Sequence, residues 1–546
     1  MILTPESRIR DHVASGAWTR ETVDDLIRAA MAAVPDRTAV MDAGTVPVPG
    51  VSARYSFAEM ERRVAGLAGF LGGVGLKPDT VVGIHLPPCA DAAIVMLAAL
   101  RAGLVVAPLP LHWSNGEIET AIGVAGIKAI VTASSVESDL TGERMRDVAA
   151  EVFAIRFVFA LGEGLPDGLI DLAAVMAEID AFPPAPGVAR RGEAADHIAL
   201  LSFARTGDDR LCAVPFSHSH VVALARAHMA EAGASTDDVL LVPMHPASLP
   251  GFAGGLVGAL ATGGTVAYHY GQTLGGIAGA AAETGATRVV APVALGPALA
   301  AVLEPGVGLS LADRRVAGGN RARIGGGRPV VDLLSFGDVT LLPRLRGADG
   351  RPTAIPAGPV RAAGSDAVLA ELRTKGRTRV ADSRRTPAEL TLSGPLVPDT
   401  PWPEPMSGNA GGVLAFTSDG SLRTGLNVIA DPDGGSFDMI GPAHEIAMVA
   451  GHPLSLPRLD ALVRRHPGVA DAAVFPIPDG LIGARIGVAV VPRPGTPLSL
   501  QDLTDWLATA GVGPLERPSA LVPVPVIART ADGGVQRQSL LLERVA

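Results

Sequence analysis

The strongest constraint on the fold is an alternation. Apolar strand-like runs and helix-patterned stretches follow one another through most of the first 340 residues. "TAVMDAG" and "RYSFAEMERRVAGLAGFLGGVG" read as a strand and an amphipathic helix. "TVVGIHLPP", "ADAAIVMLAALRAG" and "LVVAPLPL" read as strand, helix and strand. "SNGEIETAIGVAG" follows, with Ser114 or Asn115 placed to cap its N-terminus, and then "IKAIVTAS". The same grammar resumes at "ALLSFARTG", "DVLLVPM" and "GATRVVAPVALGPALAAVL". Such βαβ repetition demands parallel sheets covered by helices. The stretch "PFSHSHVVALARAHM" reads as the start of a helix after a Gly/Asp-rich turn.

From about Asp338 the pattern changes to short runs rich in turn residues, as expected of a small β-rich subdomain over 338–437. "DPDGGSFDMIGPAHE" reads as a turn-dense bridge with a boundary near Phe437–Gly441. A compact α+β pattern occupies 438–546, so the expected division is 1–437 and 438–546. At 546 residues the chain suggests roughly three or four units by length alone.

Composition narrows the function classes. The formal net charge is −10, and the densest basic stretch, "RRVAGGNRARIGGGR", is broken by glycines, which argues against nucleic-acid binding. Two cysteines, Cys89 and Cys212, exclude a disulfide scaffold or thiolate zinc site and fit a reducing cytoplasm. The N-terminus carries charges too early for a signal peptide. From Val239 to Ala282 no Asp, Glu, Lys or Arg occurs, yet prolines, histidines and glycine pairs divide the segment. Buried strand–helix–strand packing is expected there, with no membrane span.

Across nearly its whole length the chain resembles the adenylate-forming superfamily of acyl- and aryl-CoA synthetases, adenylation domains and luciferases. "WTRETVDDLIRAAMAAVPDRTAVMDAG" is similar to its N-terminal region and "LVPMHPASLPGFAGGLVGALATGGTV" to its acyl-pocket region. "HPGVADAAVFPIPDGLIGARIGVAVVPRPGTPLSLQDLTDWLA" resembles its C-terminal lid. The resemblance implies an α/β fold with a large N-terminal domain of two helix-covered mixed sheets plus a small β-rich subdomain, and a small α+β lid. It also implies a reaction that joins a carboxylic acid to AMP from Mg·ATP and passes the acyl group to CoA.

The family's chemistry motifs are altered. Its phosphate loop falls on Ala204–Val214, where Arg205, Asp208 and Asp209 stand and Cys212 occupies the lysine position. Two carboxylates facing a polyanion are repulsive, and Arg205 offsets them only in part. In the Tyr-Gly-x-Thr-Glu motif Phe336 and Gly337 match, but Val339 and Thr340 replace the threonine and the magnesium-binding glutamate. The ribose-binding aspartate becomes Leu426 after Thr424 and Gly425; the arginine before the lid becomes Pro442, with Glu445 keeping acid character. In "ARTADGGVQR", Arg529, Thr530, Gly533 and Arg537 match, and Gly534 stands where the adenylation lysine belongs.

The matching positions implied for nucleotide binding are Gly318, Gly319, Phe336, Gly337, Thr424 and Gly425, and those implied for the lid and CoA are Gly441, Gly451 and Arg529. "GGNRARIGGGRP" otherwise reads as a flexible loop, and "YHYG" at Tyr268–Gly271 as a strand end in a pocket wall. Losing one preorganised charge-stabilising group often costs about 2.7–4 kcal/mol of transition-state stabilisation. Five substitutions therefore point to adenylation lost or strongly reduced, with acyl, acyl-CoA or nucleotide binding in a regulatory or scaffold role beside a protein partner. The alternative is an active acid–CoA ligase or acyltransferase in which Arg205 or Arg210 supplies charge. Two further arrangements were weighed: Cys212 as a nucleophile with His218 or His220 as base, and His218 with His220 as a metal pair.

Overall fold

The computed structural model describes residues 1–546 except 184–187, 206–209, 272, 315–321, 326, 376–387, 404–410, 432, 443–445, 451, 530–534, 536, 538–539 and 541–546. Two large sheets dominate it. A seven-stranded sheet runs Ile170–Asp171, Phe157–Leu161, Ala129–Ala133, Val81–His85, Val105–Pro108, Ile198–Arg205 and Leu211–Ser217, parallel until its final pair. An eight-stranded sheet runs Leu342–Leu345, Val330–Leu334, Gly308–Asp313, Arg288–Pro292, Val239–Val242, Thr265–Tyr268, Thr38–Asp42 and Arg54–Ser56, parallel inside and antiparallel at both edges.

Two helices lie between these sheets. Ala90–Arg101 is apolar at every position but Asp91 and Arg101 and is buried from Ala90 to Leu100, touching Val105–Pro108 of one sheet and Thr38–Asp42 of the other. A helix hydrophobic all round must be covered all round. His218–Ala232 bridges the sheets in the same way, contacting Ile198–Arg205 and Leu342–Leu345. Its start is fixed by a reciprocal cap, since the Ser217 hydroxyl accepts from the His220 backbone N–H while the His220 side chain accepts from Ser217 N–H.

The strand before that cap corrects a sequence expectation. Pro215–Ser217, read as the opening of a helix, complete an antiparallel strand paired with Ile198–Arg205, Ala204 facing Cys212. The charge-free segment resolves as expected into the strand Val239–Val242, a helical stretch from Pro250 to Ala261 and the strand Thr265–Tyr268. Among the described residues no helix is long and apolar enough to cross a membrane.

The β-rich stretch first supplies the edge strand Leu342–Leu345, then builds a six-stranded antiparallel sheet from Ile355 onward. Its last hairpin pairs Leu422–Ala430 with Ser436–Pro442, and between them Gly434 N–H donates to the Asp431 carbonyl. Phe437–Gly441 are thus strand residues of that sheet. Beyond it, Val469–Asp479, Gly483–Pro492 and Ala520–Pro523 form a three-stranded sheet backed by Leu456–Val463 and Leu500–Thr509 around a core of their own.

Candidate functional site

In open α/β sheets ligands bind outside the carboxyl ends of the strands. Those ends carry the chemistry here. His85 closes Val81–His85, and His112 follows Val105–Pro108 by four residues; His245 and Arg314 lie just past Val239–Val242 and Gly308–Asp313. Ser335–Asp338 follow Val330–Leu334 in a tight turn with φ of 45°, 81° and 66° at Phe336, Gly337 and Asp338. The left-handed region suits Gly337; at Phe336 and Asp338 it is strained backbone held by its surroundings.

These residues converge. Arg144 donates from Nη2 to His85 Nε2 at 3.0 Å, which leaves His85 Nδ1–H to donate to the Thr132 hydroxyl at 3.3 Å. His112 meets His452 of the Ile446–Val449/His452–Ser455 hairpin, ring centroids 3.7 Å apart. Burial, then the positive charge of Arg314, holds His112 down to about 4. Burial, then His112, holds His245 down to about 3. His85 and His452 are pushed well below the ordinary imidazole range, again mainly by burial. At neutral pH the cluster is therefore a set of neutral rings beside two guanidinium groups.

Arg314 reaches Asp338, with Nη1 2.6 Å from Oδ2, and the Ser202 hydroxyl donates to the Asp338 carbonyl at 2.9 Å. Among the described residues, four buried polar atoms around this pair have no hydrogen-bond partner: Arg314 Nε, Asp338 Oδ1, Ser335 Oγ and His245 Nε2. Buried polar groups are ordinarily satisfied, so such a grouping marks a place for a polar ligand or water.

Comparison with known proteins sets this cleft in a family. Residues 27–329 match the AMP-binding enzyme family, and 458–533 match the AMP-binding enzyme C-terminal domain. The chain belongs to the AMP-binding enzyme family. It is 27% identical to the salicyl-AMP ligase / salicyl-S-ArCP synthetase of Mycobacterium tuberculosis, covering 98% of this chain and 93% of that one. It is 25% identical to the 2-hydroxy-7-methoxy-5-methyl-1-naphthoate–CoA ligase of Streptomyces carzinostaticus, covering 98% and 95%. Among solved structures, the fold matches the amide bond synthetase McbA of Marinactinospora thermotolerans with a TM-score of 0.72 at 20% identity, over 94% and 98% of the two chains. It matches apo MbtA of Mycobacterium smegmatis with a TM-score of 0.63 at 24% identity, over 99% and 98%. The expected architecture, a large α/β N-terminal domain and a small C-terminal one, is that of these AMP-binding relatives.

With the AMP-binding fold in place, the altered motif positions can be located. Thr340, matched by resemblance to the magnesium-glutamate position, is fully buried and donates its hydroxyl to the Leu396 carbonyl at 2.7 Å. Cys212, matched by resemblance to the lysine position, is buried with Sγ 3.5 Å from the Ala204 carbonyl. Arg205 is drawn to Glu117, Nη2 to Oε1 3.3 Å. A magnesium ion does not fit these residues: Thr340 faces the core, and Asp338, two residues before it, already holds a guanidinium that would repel a divalent cation.

Of the positions matched by resemblance, Phe336 and Gly337 lie at the cleft, Gly337 N–H donating to the Arg314 carbonyl. Thr424 and Gly425 bond to the neighbouring strand instead, Thr424 Oγ1 to the Leu390 carbonyl and Gly425 N–H to Glu389 Oε1. Leu426 is buried. Gly441 pairs with Asn427 inside the six-stranded sheet. Arg529 grips both oxygens of Asp471 at 2.8 Å, and Arg537 is buried on Asp460. Asp208, Asp209, Gly318, Gly319, Glu445, Gly451, Thr530, Gly533 and Gly534 lie outside the described residues.

Neither alternative at Cys212, His218 and His220 is formed. His218 Nδ1 accepts from Val23 N–H, and His220 is held by Ser217 at Nδ1 and by the Val397 carbonyl at Nε2. Burial keeps both rings neutral, down to about 3. They are framework side chains, not a metal pair or a base for Cys212; among the described residues no three His, Cys, Asp or Glu are grouped to hold a metal. Sequence reasoning also missed His85, His112, His245, His452, Arg144 and Arg314. The available signal was a histidine at or just past the end of a strand, as in "VVGIH" and "LLVPMH".

Proposed function

We propose that this AMP-binding protein binds a small carboxylic acid, or the acyl group derived from it, in the cleft between the sheets and the lid, with ATP-dependent adenylation lost or strongly reduced. The observation that carries the reading is Thr340. Where the family's magnesium carboxylate belongs, a neutral side chain is turned into the core and bonded to the Leu396 carbonyl. Cys212 on the Ala204 carbonyl supports it, since the lysine position is likewise closed to a phosphate. The relatives act on salicylate and a hydroxynaphthoate, so the acid is proposed to be a hydroxyaryl carboxylate. Such a protein acts by binding, in a regulatory or scaffold role in the cytoplasm, with a lid that begins just past Pro442.

Pyrophosphate exchange across a panel of aromatic and aliphatic acids, beside calorimetry with salicylate, acyl-CoA and Mg·ATP, tests it. Acid or acyl-CoA binding without exchange is expected. A second reading, an active acid ligase, is favoured by alignment with ligases over 98% of the chain. Robust exchange would establish it.

A further inference from the structure

We propose that Arg314 takes the place of the divalent cation in this cleft, so that the site holds an oxyanion flanked by a hydroxyl without any metal. This deepens the reading of the cleft as a binding site and rests on it. A guanidinium and a magnesium ion offer an anion the same thing, concentrated positive charge, but only the guanidinium adds directed donors. Arg314 is fixed by one of those donors on Asp338 Oδ2, at 2.6 Å, while its side chain keeps 18% exposure. Asp338 thus holds the cation in position, much as a carboxylate holds a metal.

The remaining atoms define what the ligand must offer. Arg314 Nε and the Ser335 hydroxyl are buried donors without acceptors, and Asp338 Oδ1 is a buried acceptor without a donor. An oxyanion would satisfy the first two, and a neighbouring hydroxyl the third. An ortho-hydroxyaryl acid carries that pairing on adjacent carbons, a nucleoside monophosphate carries its hydroxyls several bonds from the phosphate, and benzoate carries the oxyanion alone. The His112–His452 contact lies within the field of Arg314, which places the hairpin that carries His452 beside the same ligand.

The test is calorimetry on the full chain with salicylate, benzoate and AMP, each in magnesium and in excess EDTA. Binding of salicylate or AMP with a Kd unchanged within about twofold by EDTA is expected, with benzoate weaker than salicylate. Arg314→Gln should weaken the bound probe tenfold or more, and Arg314→Lys should recover part of the loss. A tenfold dependence on magnesium, or an Arg314→Gln variant that binds like the parent, overturns the role of Arg314 while leaving the binding reading intact. Should Arg314→Gln not fold, the parent's EDTA comparison decides by itself. Failure of the parent to bind all three probes overturns the binding reading and the Arg314 assignment together.

Discussion

The proposed loss of ATP chemistry turns on one side chain, Thr340. Its hydroxyl is spent on the Leu396 carbonyl in a fully buried position, so a glutamate placed there is not expected to create a metal site. Thr340→Glu would bury a carboxylate without a partner, which costs several kcal/mol or forces protonation. The expected result is a melting temperature lowered by several degrees, with no added magnesium response; magnesium-dependent stabilisation of the variant would contradict this. His228 carries the same logic into pH. Its Nδ1–H donates to the Gly254 carbonyl at 2.9 Å, so Nε2 accepts from the Ser310 hydroxyl at 2.7 Å. Burial, then the charge of Arg288, holds it down to about 3. A folded-state value below the unfolded one contributes stability above about 6.5 that is lost as pH falls toward about 3. Asp42 and Asp399, raised to about 6 by burial, act oppositely, losing stability as pH rises through about 6. The histidines at 12, 112, 218, 220, 228 and 245 outnumber them. Net destabilisation below about pH 6.5 is therefore expected in thermal melts. His228→Leu should lower neutral-pH stability by about 1–3 kcal/mol, through two unpaired partners, and flatten that acid loss.

At the scale of elements, most of the framework was legible, because alternating apolar runs and capping pairs are local signals. Ser114 with Glu117 forms the cap suggested by "SNGE". Pro215–Ser217 were misread because nothing local distinguishes a hairpin strand feeding a helix from the helix itself; pairing with Ile198–Arg205 decides it. "DPDGGSFDMIGPAHE" reads as a bridge for the same reason: nothing local shows that Ser436–Pro442 pairs back onto Leu422–Ala430. In the C-terminal unit Arg537, matched by resemblance, is instead an internal strut: it donates to both oxygens of Asp460, at 3.1 and 2.6 Å. Arg537→Ala would leave Asp460 buried with Val474 N–H as its remaining close donor. A cost of about 3–5 kcal/mol is expected, as for breaking one side of a buried pair. Hydrogen exchange should show it as lost protection in Val469–Asp479 and Gly483–Pro492, with protection in the two large sheets unchanged.

At the scale of the whole molecule, the site forms where the carboxyl ends of two sheets face each other and the hairpin carrying His452 meets them at His112. That convergence was only half legible. The family motifs located Phe336 and Gly337. The histidines and Arg314 become neighbours only after the strands are ordered, since 367 positions separate His85 from His452 in the chain. We propose above all that this fold keeps a ligand cleft while the ATP chemistry is closed off at Thr340 and Cys212. Pyrophosphate exchange with Mg·ATP and salicylate, run on the protein whose salicylate binding is measured in parallel, tests that claim most directly. Binding with exchange no higher than in a protein-free control is the expected result. Exchange well above that control, dependent on both magnesium and salicylate, would contradict it.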